Sequence, residues 1–176
     1  MTGALRPAPE TALVLVVHLP PVLEALRRRS IADATQGVPA HVTLLYPFAG
    51  EAQLDAVVLD DVAAIAARHP VLRVTLGEGR RFPGTLYASV EPDAPLRALH
   101  GELAAAFPTL PLYGGAYPFV PHVSIVEGPA ATDPRALDDP AWQALPVDQL
   151  VDAIDLITGR DGTWATRRRF PLGTAG

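Results

Sequence analysis

The sequence predicts a single α+β domain, spanning residues 1–176, built of two similar halves that face each other across a cleft. Stretches with strand-like and helix-like patterns follow one another in an order that occurs twice. A His-apolar-hydroxyl-apolar pattern also occurs twice, at residues 41–44 and 122–125, each time directly after a short segment containing proline. A chain of 176 residues, 49% of them hydrophobic, is large enough for one domain or for two small lobes sharing a core. We place the halves at about residues 11–80 and 84–172.

The first half is predicted to run strand, helix, strand, helix, strand. Residues 11–18 are rich in β-formers without a helical period, which predicts a buried strand. Residues 22–30 predict a helix, because proline suits the first turn and the closing arginine cluster suits the negative end of the helix dipole. Residues 39–48 contain the first motif strand. The apolar spacing of residues 53–68 predicts a second helix, and the alternation in residues 71–76 predicts a third strand.

The second half repeats this order and adds a closing strand. Residues 85–90 predict a strand, and residues 92–107 predict a helix with leucines at helical spacing. A loop rich in proline, glycine and tyrosine then leads into the second motif strand at residues 120–126. Strands are predicted at 147–158 and 164–170, joined by an Asp-Gly turn that is typical of hairpins.

The remaining segments predict loops and one short helix. Residues 77–84 contain three glycines and a proline and are predicted to connect the halves. Residues 134–145 predict one short helix within a proline-rich stretch. The residues before position 11 predict a loose lead-in, and residues 173–176 a frayed end.

Composition excludes several classes of function. The chain has no cysteine, so disulfides, thiolate catalysis and cysteine-bound metals are excluded. Its net charge of −5 argues against a protein that coats nucleic acid non-specifically. All 14 basic residues are arginine, which suits a local site for one or two phosphates. The apolar run at residues 12–17 is shorter than the ~20 residues of a membrane span and lacks the features of a secretion signal, so we predict a soluble, cytoplasmic protein.

The two motifs carry the chemistry. In a strand, alternate side chains share a face, so His41 and Thr43 are predicted on one face, with Val42, Leu44 and Tyr46 on the other. A histidine and a hydroxyl presented twice can transfer protons and hold an anion. If a pseudo-two-fold axis relates the halves, the two histidines face each other across one cleft.

Paired histidines in such a cleft suit displacement at phosphorus. A neutral imidazole can take a proton from the nucleophile, and a protonated one can give a proton to the leaving oxygen. The hydroxyls of Thr43 and Ser124 can donate to the non-bridging oxygens. Hydroxyls, arginine and imidazolium already supply charge stabilisation, so neither a metal ion nor a cofactor is predicted.

These paired motifs, 81 positions apart (41 to 122), resemble those of the 2H phosphoesterase superfamily, also known as the 2′-5′ RNA ligase or cyclic phosphodiesterase group. The closing hairpin and the Phe-Pro-Leu ending are similar to bacterial members. The resemblance implies a bilobal fold with two antiparallel sheets lining a central cleft and helices on the outside. It also implies that His41 and His122 are the acid–base pair and that Thr43 and Ser124 bind the substrate phosphate. Which histidine is the base stays open.

The chain departs from this pattern at one place. Many bacterial RNA cyclic phosphodiesterases of the group resemble His-x-Thr-Leu-x-Arg at the second motif, whereas Val126 and Glu127 stand at the corresponding positions here. A carboxylate in place of an arginine counts against RNA as the substrate more than against the phosphate chemistry.

A few other residues are candidate ligands of the substrate. Arg81, Phe82 and Tyr117 are candidates for binding the substrate, with Phe82 and Tyr117 stacking on a base, although solvated surfaces and core packing are the commoner places for such residues. His69 is predicted to be structural and His100 to be exposed on a helix.

The sequence therefore predicts a metal-independent phosphodiesterase. Its substrate is a nucleotide or a short RNA end bearing a 2′,3′-cyclic phosphate or a related 2′-5′ linkage, and the protein is a monomer with no protein partner. The alternative is a catalytically idle nucleotide- or RNA-binding module on the same scaffold. A metal-dependent hydrolase is disfavoured, because neither motif has an Asp or Glu at ligand spacing.

Overall fold

The computed structural model describes residues 10–173 and shows, within them, eight β-strands and four α-helices. The strands are β1 (Glu10–Val16), β2 (His41–Leu45), β3 (Leu72–Phe82), β4 (Thr85–Glu91), β5 (His122–Glu127), β6 (Val147–Val151), β7 (Ala153–Arg160) and β8 (Thr163–Pro171). The helices are α1 (Pro21–Ser30), α2 (Ala32–Thr35), α3 (Ala56–Arg68) and α4 (Asp93–Ala106). The predicted lead-in and frayed end lie outside the described residues except for Glu10, which starts β1, and Gly173, which pairs with Pro70.

Two antiparallel four-stranded sheets form the framework. The first has the strand order β2-β1-β7-β8 and the second the order β5-β4-β3-β6. The predicted α+β class with two antiparallel sheets is therefore confirmed. In both sheets the motif strand lies at an edge, beside the first strand of its half. Within residues 10–173, no helix has both the length and the apolar character needed to cross a membrane.

The sheets exchange strands between the halves of the chain. Strand β3 belongs to the first half by sequence but pairs with β4 and β6 in the second sheet. Strands β7 and β8 come from the second half but belong to the first sheet, where β7 pairs with β1 and β8 pairs with β7. Each sheet is thus completed by strands from the opposite half of the chain.

The predicted loop at residues 77–84 is wrong, because β3 continues to Phe82. Glycines usually indicate a loop, but here they lie in a strand where side chains would not fit. A Cβ atom on Gly77 would lie 2.5 Å from Oγ of Ser89, and one on Gly79 would lie 2.7 Å from the ring of Trp142. A bulge between Leu76 and Gly79 accommodates this close packing.

Two other predicted elements are wrong. The single strand at 147–158 is two strands, β6 and β7, which separate at Asp152 because they join different sheets. The single helix at 134–145 is replaced by two 3₁₀ turns, each starting with a proline. The carboxylates of Asp133 and Asp139 accept hydrogen bonds of 2.9 Å from the backbone of the turns that follow them. Helix α2, only 4 residues long, is an element that the sequence pattern does not predict.

Strand β1 separates the main core from the floor of the cleft. Leu13 and Leu15 are fully buried and pack into the main core with leucines of α1 and α4. Ala12 and Val14 point the other way, into a small second cluster against which Tyr46 and Trp164 pack. Each fully buried leucine stabilises the fold by about 1.5–3 kcal/mol. Because both faces of β1 are buried, its sequence shows no alternation.

Candidate active site

The two motif strands have the same irregularity. In β2 the pairing with β1 shifts after Thr43, so that Leu44 is an extra residue. In β5 the pairing with β4 shifts after Ser124, so that Ile125 is the extra residue. Leu44 and Ile125 are both fully buried. A bulge therefore follows the hydroxyl residue in each motif. Bulges are common beside active sites, where they redirect side chains.

The bulges change which side chains face the cleft. Strict alternation predicts Tyr46 on the face opposite His41, and this prediction is wrong: Tyr46 lines the cleft together with His41 and Thr43. In the second motif, Glu127 likewise joins the cleft lining. One extra residue reverses the order of inward and outward side chains beyond it.

The cleft has a volume of about 210 Å³ and contains both motifs. Its lining is drawn from both sheets, from α1 and α2 and from the loops beside the motif strands. The residues are Ala12, Arg27, Ile31, Asp33, Val38, His41, Thr43, Tyr46, Tyr113, His122, Ser124, Glu127, Ile157 and Trp164. The structure thus brings together all four motif residues that the sequence predicts as a site.

Both imidazoles are held in the same way by the backbone. Nδ1 of His41 lies 2.7 Å from the carbonyl oxygen of Pro39, and Nδ1 of His122 lies 2.7 Å from that of Val120. A carbonyl can only accept, so Nδ1 carries the hydrogen in each ring. Each neutral imidazole therefore keeps the lone pair of Nε2. At His41, Nε2 accepts from the hydroxyl of Thr43 at 3.1 Å.

Burial makes both histidines hard to protonate. It lowers the pKa of His41 to about 4; the Pro39 carbonyl opposes this, and the charges of Arg27 and His122 add to it. Burial also lowers the pKa of His122, but there the Val120 carbonyl and the carboxylate of Glu127 oppose the change. The two rings are alike in geometry and unlike in their charged neighbours.

Arg27 is a cleft residue that the sequence pattern does not single out. Its side chain is only 3% exposed. Its Nη2 donates to the carbonyl oxygens of Val38 and Pro39, both at 3.0 Å. An arginine cluster at a helix end predicts a solvated surface. Helical spacing nevertheless indicates that Arg27 is buried, because it lies on the same face of α1 as Leu23 and Leu26, which are also buried.

The predicted substrate-binding residues Arg81, Phe82 and Tyr117 do not line the cleft. Arg81 donates to the carbonyl oxygens of Ala131 and Asp133, the latter at 2.9 Å. The ring of Phe82 stacks on Tyr87, with centroids 4.1 Å apart, and meets the ring of His122 edge-on at 5.2 Å. The roles proposed for these residues stay predictions.

Tyrosines form an aromatic wall beside the first motif. Tyr46 and Tyr113 both line the cleft, with ring centroids 6.1 Å apart. Tyr117 is 70% exposed and lies at the outer edge of Tyr113, 6.3 Å between centroids. Burial and a 2.6 Å hydrogen bond to Glu10 raise the pKa of Tyr46 to about 12, so its phenol stays protonated.

Two further histidines are engaged elsewhere. His69 contacts the carboxylate of Glu102 at 2.6 Å. His100, predicted to be exposed, is partly buried: its ring stacks on Phe119 at 4.2 Å and its Nδ1 lies 2.9 Å from the carbonyl oxygen of Leu44. This prediction fails because the chain before β5 folds back over α4.

Solved structures share this fold. A crystal structure of TT0787 of Thermus thermophilus matches with a TM-score of 0.63 and 20% identity, covering 95% of this chain and 100% of that one. A crystal structure of Escherichia coli LigT matches with a TM-score of 0.56 and 17% identity, covering 95% and 99%.

Sequence comparison adds the family. The Geobacillus kaustophilus protein named "Putative phosphoesterase GK0864" is 27% identical over 143 residues, which are 77% of this chain and 80% of that protein. The sequence profile of the 2′-5′ RNA ligase superfamily matches residues 15–163, which contain both motifs. The chain therefore belongs to the 2′-5′ RNA ligase superfamily.

Proposed function

We propose that this protein is a metal-independent phosphodiesterase that opens a 2′,3′-cyclic phosphate, or a related 2′-5′ phosphodiester, at a nucleotide or short RNA end. His41 and His122 are the acid–base pair, and Thr43 and Ser124 hold the phosphate. The observation that carries this proposal is the equal presentation of both imidazoles: each is held through Nδ1 by a carbonyl 2.7 Å away, with Nε2 left for the cleft.

The reaction balances with these groups alone. One imidazole takes a proton from water as the water oxygen bonds to phosphorus. The bond from phosphorus to one ribose oxygen breaks, and the second imidazole, in its protonated form, gives that oxygen a proton. Donors aimed at the non-bridging oxygens stabilise the charge that builds up there. The hydroxyls of Thr43 and Ser124 are the groups beside the histidines that can do this.

A nucleotide suits the rest of the cleft. Its volume of about 210 Å³ and the rings of Tyr46 and Tyr113 fit one base or ribose better than a long oligonucleotide. The carboxylates of Asp33 and Glu127 also line the cleft, which disfavours a highly charged RNA chain. Crystal structures of the LigT relative are complexes with 3′-AMP, NADP+ and ATP, which supports a nucleotide ligand.

The test is an assay of 2′,3′-cyclic nucleotides and 2′-5′-linked dinucleotides in the presence of a chelator, with products identified by phosphorus NMR. We expect turnover that the chelator does not affect. We expect His41→Ala and His122→Ala each to lower kcat about 10²- to 10⁴-fold. His18→Ala is the matched control, because His18 is exposed and does not line the cleft.

Two outcomes would favour the rival functions. If the wild type binds a cyclic nucleotide but turns over none of the panel, the protein is a nucleotide-binding module. If the chelator abolishes turnover, a metal ion takes part and the two-histidine mechanism is wrong. The monomeric state and the cytoplasmic location stay predictions.

A further inference from the structure

The two halves of the site share an arginine contact as well as a motif. In the first half, Arg27 of α1 donates to the carbonyl oxygen of Val38 at 3.0 Å. In the second half, Arg97 of α4 donates to the carbonyl oxygen of Phe119 at 2.7 Å. Val38 and Phe119 each lie three residues before the histidine of their motif. An arginine from the neighbouring helix therefore holds the chain at the same point in both halves.

The two arginines differ in whether they also bind the carbonyl that holds the catalytic imidazole. Arg27 also donates, at 3.0 Å, to the carbonyl oxygen of Pro39, the same oxygen that accepts the Nδ1 hydrogen of His41. Among residues 10–173, no arginine donates to the corresponding carbonyl of Val120, which holds His122.

The two guanidinium groups also differ in their surroundings. The side chain of Arg27 is 3% exposed, faces the cleft and pairs with Glu24 of its own helix at 3.3 Å. The side chain of Arg97 is 49% exposed and pairs with Asp93 at 2.7 Å, outside the cleft lining. Both guanidinium groups are therefore paired with a carboxylate, and they differ in burial: a buried cation acts on a neighbouring charge more strongly than a solvated one.

We propose that Arg27 is a positioning residue that assigns the role of general base to His41 and leaves the role of general acid to His122. This inference rests on the proposed function and specifies the roles within it. Two donors on one carbonyl oxygen fix that carbonyl and, through it, the orientation of the His41 ring. The lone pair of Nε2 then faces the cleft, where the Thr43 hydroxyl already donates to it at 3.1 Å.

The charges in the cleft support the same assignment. The cation of Arg27 opposes a second positive charge on His41, whose pKa burial lowers to about 4. The carboxylate of Glu127 favours a proton on His122 and opposes the lowering of its pKa by burial. The other ionisable groups that line the cleft are the carboxyl of Asp33 and the phenols of Tyr46 and Tyr113.

In the reaction, Nε2 of His41 accepts a proton from water while the water oxygen attacks phosphorus. As the bond to the ribose oxygen breaks, Nε2–H of His122 donates its proton to that oxygen. His41 then releases a proton to solvent and His122 takes one up, which restores both rings.

The first experiment needs no substrate. Nitrogen-15 NMR of the imidazoles reports the tautomer and pKa of each histidine in the wild type, Arg27→Met, Arg27→Lys and Arg97→Met. We expect His41 in the wild type to carry its hydrogen on Nδ1 and to titrate well below pH 6.5. Arg27→Met should raise the pKa of His41, although by less than burial lowers it; Arg27→Lys should raise it less, and Arg97→Met should leave it unchanged. Equal pKa values in Arg27→Met and the wild type would overturn the proposal.

The second experiment separates base from acid. A nucleoside 4-nitrophenyl phosphodiester has a leaving group that needs no proton. We expect His122→Ala to lose at least about tenfold less activity on this ester than on the cyclic phosphate, and His41→Ala to lose as much on both. The reverse pattern would overturn the assignment.

The two experiments fail independently. If the wild type turns over neither substrate, the proposed function is wrong, and the NMR comparison still decides whether Arg27 controls His41. If Arg27→Met does not fold, the titration of His41 in Arg27→Lys and in the wild type tests whether Arg27 lowers the pKa of His41. A wild-type His41 that titrates near pH 6.5 would then overturn the proposal.

Discussion

The hydroxyl oxygen of Thr43 lies 3.1 Å from Nε2 of His41, two residues away on the same face of β2. Because Nδ1 carries the hydrogen of this ring, the hydroxyl is the donor. In the proposed reaction, a phosphate in the cleft offers the hydroxyl a better acceptor, and the transfer of this hydrogen bond frees the imidazole lone pair for water. Under this proposal, binding of the phosphate at Thr43 prepares His41 to act as the base.

Removing this hydroxyl should affect the reaction more than the fold. We expect Thr43→Val, which preserves the side-chain shape, to lower kcat/KM about 10²- to 10³-fold, because a donor to the charged oxygens is lost. Thr43→Ser retains the hydroxyl and should keep most of the activity. Thermal unfolding of both variants is the control for folding. Wild-type activity in Thr43→Val would contradict the role of the hydroxyl.

The pH dependence of kcat/KM should peak on the acidic side of neutrality. The proposed base, His41, is unprotonated above its pKa of about 4, so activity should rise as the pH increases through that value. The proposed acid, His122, must be protonated, and its pKa lies below the usual 6.5, so activity should fall before neutrality is reached. An optimum at about pH 8 would contradict this reading of the two rings.

Glu127 should control the alkaline side of that profile. Its carboxylate favours the protonated form of His122, so Glu127→Gln should lower the pKa of His122 further and move the alkaline limb to lower pH. Because Glu127 is exposed, we expect the shift to be less than about one unit and to shrink in 1 M salt. Glu78→Gln, a carboxylate outside this cleft, is the matched control. An unchanged profile in Glu127→Gln would contradict the prediction.

His41 should also make the folded state sensitive to acid. Its pKa is lower in the folded chain than in the unfolded chain, so between pH 6.5 and about 4 the unfolded chain binds more protons. The free energy of unfolding should therefore fall as the pH decreases through this window, by on the order of 2 kcal/mol from this group. Urea unfolding of the wild type and of His41→Gln at several pH values measures the difference. Parallel pH dependences would contradict it.

Alanine substitutions at two glycines should change the free energy of unfolding in opposite directions. Gly37 has φ of +100°, and a Cβ atom there would meet the carbonyl oxygen of Trp164, a cleft residue. We expect Gly37→Ala to lower the free energy of unfolding by about 1–3 kcal/mol. Gly101 lies within α4 with nothing near its absent side chain, so Gly101→Ala should raise it by about 0.5–1 kcal/mol. Equal effects in urea unfolding would contradict this.

The sequence predicts those parts of the molecule that follow from local periodicity. Alternation puts His41 and Thr43 on one face of a strand, and helical spacing finds α3 and α4 to within three residues at each end. Local periodicity does not predict that Tyr46 and Glu127 line the cleft. Their positions depend on bulges, and a bulge is a property of how two strands pair and not of either strand alone.

Arg27 shows a different limit. Three arginines at the end of a helix are usually solvated. Helical spacing puts Arg27 beside the buried leucines of α1, but its contact with the chain before β2 cannot be predicted from local pattern. The strand exchange between the sheets is also unpredictable from local pattern, since it depends on pairing between segments far apart in the sequence.

The exchange of β3 for β7 and β8 makes the two sheets inseparable. If the chain were cut between β3 and β4, the earlier fragment would retain β1 and β2 without the other two strands of their sheet. The later fragment would lack the strand that lies between β4 and β6. Neither piece would be a self-sufficient folding unit, so the lobes should melt in one cooperative transition. The spacing of the two imidazoles is then secured by the connectivity of the whole chain and does not depend on a hinge between independent bodies.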